Sequence, residues 1–348
     1  MKKFNADNWS RPNIRDLVPY SSARDEFTGD DYVFLDANES PFETGLNRYP
    51  DPYQKELKQR ISQLKACSPD QLFLGNGSDE AIDLLFRCFT EPGKDRVLSI
   101  SPSYGMYKVC ADINDVGFDT VLLEEDFSIN PDVIFNAVKP ETKIIFLCSP
   151  NNPSSNALDG DAVIRVLDGF DRLVVIDEAY QDFSESGGFL NLLDEYQNLI
   201  VLQTFSKAWG MAGVRLGMAM ADPSIISILS KVKYPYNINT LSQKAILQAL
   251  DRKETVDNNI RIIKEQRALV FETLRKLPGI QKVYPSNANF VLVRMKNAKE
   301  MYRSLLDEGV VVRDRSSMPL CEGCLRITIG TAEENGAMLS ALANLLIL

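Results

Sequence analysis

The stretch LIVLQTFSKAWGMAGVRLGMAMA (residues 199–221) decides how the chain is read. Residues 199–203 form a short apolar run of the kind that fills a strand buried on both faces. RLGMAMA (215–221) reads as a further strand. Between them stands Lys207, with Ser206 before it, Arg215 eight residues on, and many small residues around it. A solvated surface lysine needs no such setting.

The same grammar recurs upstream. QLFLGNG (71–77) is an apolar run ending in glycine, and SDEAIDLLFRCF (78–89) follows with helical spacing of Ile82, Leu85, Phe86 and Phe89. RVLSI (96–100) runs into SPSYGMY, KIIFLC (143–148) into SPNNP, and RLVVI (172–176) into DEAY. Apolar strands alternating with helices predict an α/β fold, with a largely parallel sheet covered on both faces. Ligands of such sheets bind beyond the carboxyl ends of the strands. GNGSDE, SPSY, SPNNP, DEAY and TFSK all fall at those ends, and packing does not by itself call for five polar motifs on one rim.

Beyond about residue 240 the texture changes. SQKAILQALDRK and NNIRIIKEQRALVFETLRKL read as helices, NFVLVRM, VVVRD and LRITIG as strands, and AKEMYRSLLDEG as a helix between them. Thr331-Ala-Glu-Glu334 has the capping-box pattern and opens a last helix. The predicted organisation is an extended N-terminal arm over 1–40, a large domain over 41–240 and a smaller α+β domain over 241–348.

Composition narrows the chemistry. The chain has 348 residues, a net charge of −10 and no histidine. The absence of histidine excludes Ser-His-Asp and Cys-His catalysis and histidine-ligated metals, so any proton carrier must be lysine, carboxylate, tyrosine or cysteine. The acidity and the lack of a basic cluster argue against nucleic acid. No apolar run approaches the roughly 18 residues of a membrane span, and the start lacks the apolar middle of a secretory signal. A cytoplasmic location is expected. Six scattered cysteines, with one CxxC at Cys321 and Cys324, read as reduced thiols, and no metal site is expected.

Each rim motif has an ordinary explanation beside a functional one. GNGSDE suits a phosphate at a helix start, yet also fits a plain turn capped by Ser78. Asp177 closes a buried run, where a carboxylate is costly without a partner; a protonated ring nitrogen would serve, and so would a structural cap. Asn152 fits a turn, and Tyr104 and Tyr180 fit core positions. Arg215 fits a surface ion pair. Arg313, in VVVRDRS, fits a pair with Asp314 or Asp307.

Taken together and in this order, these residues resemble those of the fold-type I aminotransferases that depend on pyridoxal 5′-phosphate (PLP). The carriers run from residue 11 to the C-terminus: NIRDLVPYSSAR, LDANESPF, RYPDP, GNGSDEAID, SPNNPSS, VVIDEAYQDF, TFSKAWGMAGVRLG, SNANFVLV, VVVRDRS and LRITIGTAEEN. GMY, VRDR and CLRITIG are most similar to the histidinol-phosphate branch. The resemblance implies that Lys207 forms the Schiff base and carries the proton. It gives Asp177 the ring nitrogen, Asn152 and Tyr180 the ring hydroxyl, and Tyr104 the ring face. Gly77, Ser78, Asp79, Ser206 and Arg215 would hold the cofactor phosphate. Tyr49 would reach that phosphate from a second subunit, which implies a homodimer. Arg313 and Arg326 would bind the anionic groups of the substrates, with Tyr20 and Asn38 lining the substrate pocket from the arm. The implied reaction passes an amino group from histidinol phosphate to 2-oxoglutarate, in histidine biosynthesis. Aminotransferases of other amino acids and threonine-phosphate decarboxylases share the pattern. The family's NPTG turn reads NPSS here, so Ser155 stands where a glycine is usual.

Overall fold

The computed structural model describes residues 5–20 and 32–347. Seven strands form the larger sheet: β1 (Leu72–Asn76), β2 (Arg96–Ser101), β3 (Gly117–Leu122), β4 (Thr142–Cys148), β5 (Leu173–Asp177), β6 (Leu199–Thr204) and β7 (Leu216–Ala221). They lie in the order β1-β7-β6-β5-β4-β2-β3. β2 to β6 are mutually parallel, and β7 runs antiparallel to both β6 and β1. β1 therefore points the same way as β2 to β6, and the carboxyl ends of all six meet at one rim.

Alternation along the strands divides two cores. Leu98, Ile145, Leu147, Val174, Ile176 and Val201 face one side, against Leu57 and Ile61 of helix Lys55–Lys65 and Val163 and Val166 of helix Gly160–Gly169. Phe73, Val97, Ile144, Phe146, Val175 and Leu202 face the other, against helices Ser78–Phe89 and Pro223–Val232. Both faces are dry, which is why the strands read as continuous apolar runs. Helix Thr240–Leu250 lies with the first core through Ile246.

The smaller sheet has β8 (Ile280–Val283), β9 (Phe290–Met295), β10 (Arg313–Asp314) and β11 (Cys324–Thr328), all antiparallel, in the order β10-β11-β9-β8. Helices Lys253–Leu274 and Ala332–Ile347 cover it. The last helix opens with the expected capping box: Thr331 N–H donates to Glu334 Oε2 at 2.7 Å, and Glu334 N–H to Thr331 Oγ1 at 3.2 Å. Asn287 N–H donates to Ser155 O at 2.7 Å, and Tyr180 packs edge-on against Phe290, so the small sheet is fastened beside the rim.

Three expectations need correction. The arm is not simply extended: helical turns Ala6–Trp9 and Pro12–Arg15 dock on the second core, burying Ala6 and Ile14, with Arg11 N–H donating to Cys88 O at 2.8 Å. Residues 1–4 and 21–31 of that arm lie outside the described residues. VVVRD shrinks to the two-residue strand Arg313–Asp314, although Val310 and Val312 pack into the small core and Val311 is exposed in the alternation of an extended chain. Helix Ser78–Phe89 is not capped by Ser78. Gly77 is the N-cap, at φ 75° and ψ 169°, a conformation open essentially only to glycine. All six cysteines are free thiols. Among the described residues no helix is long and apolar enough to cross a membrane.

Candidate active site

The rim motifs converge on one cavity. Its lining includes Gly77, Ser78, Asp79, Tyr104, Asn152, Asp177, Tyr180, Ser206, Lys207 and Arg215, ten of the residues the sequence singled out, together with Cys148, Ala179 and Thr204. Each arrives by the same device: a buried strand ends, and the next few residues carry polar groups into the opening. Asp177 is the last residue of β5, Gly77 follows β1, and Lys207 lies three residues past β6. Arg215 instead precedes β7, whose reversed direction brings its start to the same rim.

Asp177 is 3% exposed. Tyr107 O–H donates to its Oδ2 at 2.8 Å, and Ala179 N–H to its Oδ1 at 3.1 Å. Burial raises its pKa to about 6, against the pull of the Tyr107 and Ala179 bonds. Nothing among the described residues forms an ion pair with it, so a buried carboxylate here still lacks a cation. Tyr107 is itself fully buried and stacks on Phe146 at 4.8 Å. Sequence reasoning assigned it no role, although it belongs to the GMY triplet.

Lys207 is exposed toward the cavity. Its Nζ lies 5.6 Å from the centre of the Tyr180 ring. The surrounding walls draw its pKa down, chiefly by desolvation, with Arg326 the next contributor and Arg215 a smaller one. The arginine that matters most to the amine is therefore the one on the small sheet.

At the other end of the cavity is a cradle. The N-cap side chain is a hydrogen atom, so no side-chain cap closes the first turn of helix Ser78–Phe89. Its N–H groups and the helix dipole suit an anion. Gly77 N–H donates to Arg215 O at 3.0 Å, tying the cradle to the arginine. A Cβ on Gly77 would stand 2.7 Å from Arg215 Nη2. Tyr104 O–H donates to Asp79 Oδ1 at 3.1 Å, which sets its ring over the opening.

The test of fit for PLP is thus geometric. A buried carboxylate and an amine, neither in an ion pair among the described residues, share one cavity with an open helix start carrying an arginine. These are the groups that a ring nitrogen, an aldehyde and a phosphate need. The residues fit.

Arg326 joins this cavity to an outer one. It donates from Nη1 to Asn152 Oδ1 at 2.6 Å and lies over the Phe290 ring. The outer cavity is bordered by Tyr104, Asn152, Tyr180, Lys207, Arg313 and Arg326, and also by Arg315, which sequence reasoning passed over. Arg313 is exposed and forms no ion pair with Asp314 or Asp307. Three predicted residues are not brought to either cavity. Tyr20 is 71% exposed. Asn38 and Tyr49 line a separate groove with Asn239 and Leu241, where Tyr49 stacks on Tyr236 at 4.6 Å.

The NPSS turn holds Ser155 in the left-handed region that glycine enters freely. Ser155 adopts φ 67° and is fully buried. Its N–H donates to Asn151 O at 2.7 Å and its hydroxyl to Ser154 O, so local bonds hold the strained residue.

Comparison with known proteins agrees with this geometry. The family model for aminotransferase class I and II matches residues 36–342. A curated histidinol-phosphate aminotransferase of Bacteroides fragilis (strain YCH46) is 51% identical over 334 residues, covering 96% of this chain and 97% of that protein. The crystal structure of the histidinol-phosphate aminotransferase from Clostridium acetobutylicum superposes with a TM-score of 0.80 at 26% identity, covering 87% of this chain and 92% of that one. The enzyme of the same name from Sinorhizobium meliloti, solved in complex with pyridoxal-5′-phosphate, shares the fold with a TM-score of 0.78 at 23% identity, over 86% and 83% of the two chains. With half its residues shared with a curated relative over nearly the full length, and with a rim built as above, the chain belongs to the class I and II aminotransferases, in the histidinol-phosphate aminotransferase family.

Proposed function

We propose that the enzyme is a PLP-dependent transaminase that takes the amino group of L-histidinol phosphate and gives it to 2-oxoglutarate, reversibly, in histidine biosynthesis. The observation that carries this reading is the pairing of two adjoining cavities. The inner one suits PLP; the outer one presents arginines to an anionic substrate across Lys207. When bound, PLP supplies an electron sink for the charge left at the substrate's α-carbon.

The chain's own residues do the rest. Asp177 pairs with positive charge at the ring nitrogen, and Tyr107 and the Ala179 N–H fix its two oxygens in place. Asn152 and Tyr180 would hold the ring hydroxyl, with Tyr104 beside the ring. Ser78, Asp79, Ser206 and Arg215 would take the phosphate, and Gly77, its N–H engaged by Arg215 O, would let the phosphate approach the helix start. Lys207, its pKa lowered by partial desolvation between the cavity walls and by Arg326, is available as nucleophile and as the base that moves the α-proton. Arg326 and Arg313 orient the substrate's anionic groups. An arginine fork pairs with either carboxylate or phosphate, which lets one pocket serve both partners of the exchange.

A second copy of the chain completes the site. Tyr49 is not among the lining residues of either cavity and is half exposed, in a groove that also bares Leu46 and Leu241. Such an apolar groove calls for cover. We place Tyr49 and Asn38 toward the partner's cavity, and the enzyme in the cytoplasm; a monomer by light scattering at assay concentrations would sink the dimer.

The test of the reaction is the visible spectrum of the PLP-loaded enzyme, with L-histidinol phosphate added and no oxo acid. Loss of the yellow aldehyde form with release of imidazole-acetol phosphate is expected. A yellow protein that ignores histidinol phosphate would refute the donor.

A further inference from the structure

The wall of the outer cavity is anomalous for so acidic a chain. Among the described residues its lining includes Lys207, Arg313, Arg315 and Arg326 and no aspartate or glutamate, in a protein of net charge −10. Strand pairing explains the convergence. Arg313 stands directly opposite Arg326 across β10 and β11. Arg315 follows Arg313 by two, and its N–H donates to Cys324 O at 2.9 Å, which carries the ladder one step further. Alternation therefore returns Arg315 to the face of Arg313 and Arg326. Asp314 between them is turned to its own loop, where Oδ1 accepts from Ser316 N–H at 2.8 Å.

Three cations on one face repel each other. Burial and the charges of Arg326 and Arg313 press on the Arg315 guanidinium, and among the described residues no carboxylate is a named influence on Arg315 or Arg326. The Nε atoms of Arg315 and Arg326 are buried without a hydrogen-bond partner. The face is thus short of negative charge and of acceptors at once. A carboxylate brings one charge and two oxygens, which a single fork satisfies; a phosphomonoester brings up to two charges and three oxygens.

We propose that Arg315 is a specificity-determining residue, supplying the extra guanidinium that a phosphomonoester on the amino donor requires and a carboxylate does not. The donor's name rests on the reading above; the count of cations does not.

The test compares Arg315→Gln and Arg315→Lys with the parent enzyme. The ratio of kcat/KM for histidinol phosphate to that for glutamate should fall by about 10- to 100-fold in Arg315→Gln, the worth of a charge-assisted hydrogen bond. Arg315→Lys should fall in between, since it keeps the charge and loses the fork. Independently, glycerol phosphate should inhibit the glutamate half-reaction of the parent, with a Ki that rises by a similar factor in Arg315→Gln while the Ki of glutarate rises far less. If the parent ignores histidinol phosphate, the donor reading fails and the glycerol phosphate series still decides Arg315. Should Arg315→Gln not fold, Arg315→Lys gives the same comparison. Losses equal for phosphate and carboxylate ligands, or Ki values and ratios within about threefold of the parent, would overturn the proposal.

Discussion

Gly217 makes a sharp test of how the proposed phosphate cradle at the start of helix Ser78–Phe89 is built. It sits in β7, opposite Gly75 of β1. A Cβ added there would lie 2.1 Å from Ser78 N, 2.3 Å from Gly77 C and 2.8 Å from Ser78 Cα. All three are backbone atoms, so no side-chain rotation relieves the clash. Ordinary contact begins at 3.4 Å, so the start of helix Ser78–Phe89 must retreat by about 1.3 Å. Hydrogen bonds from first-turn N–H groups to a phosphate would then stretch past useful length. Losing one or two charge-assisted bonds, each about 1.5–3 kcal/mol, predicts PLP affinity lowered by about 10- to 10⁴-fold in Gly217→Ala. The overpacking itself should cost about 1–3 kcal/mol of stability. Titration of the apoenzyme with PLP, followed by protein fluorescence, measures the first; urea unfolding measures the second. Gly213→Ala is the control, because a Cβ there meets nothing within 4 Å. A Gly217→Ala enzyme that binds PLP within threefold of the parent would show that the cradle is not held by this strand contact.

Further tests address the other groups. Lys207→Ala should lose at least about 10⁴-fold in transamination, and borohydride should no longer fix PLP to the chain; turnover within tenfold of the parent would remove Lys207 from the mechanism. Burial raises the Glu178 pKa from 4.5 to about 7 and that of Asp177 from 3.8 to about 6. Between those limits the unfolded chain binds fewer protons than the folded one, so stability of the apoenzyme should fall as pH rises from about 3.8 to 7. Each group contributes about 3 kcal/mol to the decline. Urea unfolding across that window should show a flatter slope in Glu178→Gln, with the remainder due to Asp177; an unchanged slope would mean that Glu178 does not titrate there. Ser155→Val should be about 2 kcal/mol less stable than Ser155→Gly by thermal unfolding, since a β-branched residue is strained at φ 67°. Equal stability would show that the turn relaxes.

What the sequence disclosed follows from what burial does to composition. Strands dry on both faces lose their alternation and become apolar runs, so β1, β2, β4, β5 and β6 were legible nearly to the residue. β3 was not read, because it is an edge strand and GFDTVL buries little beyond Val121. The reversal of β7 was not read either, since direction leaves no mark on composition. Lys207, Asp177 and Asn152 stood out as polar groups abutting buried runs. Arg315 did not, because RDR looks the same whether it lies in solvent or edges a pocket; the register of Arg313 against Arg326 tells them apart. The open helix start was hidden by the serine in GNGSDE, which imitates a cap but lies one residue too late.

The reversed strand β7 has a consequence for which parts of the chain can change in length. β6 and β7 are locked in register, Thr204 opposite Gly217, and Phe205 N–H donates to Leu216 O at 3.0 Å. The segment 205–215 is therefore a loop pinned at both feet, with Lys207 near one and Arg215 at the other. Ser242 O–H also grips it through Val214 O at 2.8 Å. One inserted residue would move the amine or the guanidinium relative to the other, because neither foot can slide. The crossovers that join the parallel strands carry no such constraint: their helices lie on the faces of the sheet, and a longer connection there costs little. Insertions and deletions that preserve activity should thus be absent from 205–215 and tolerated at exposed turns of the crossovers such as 185–187, so the stretch between the amine and the guanidinium is an interval whose length is fixed.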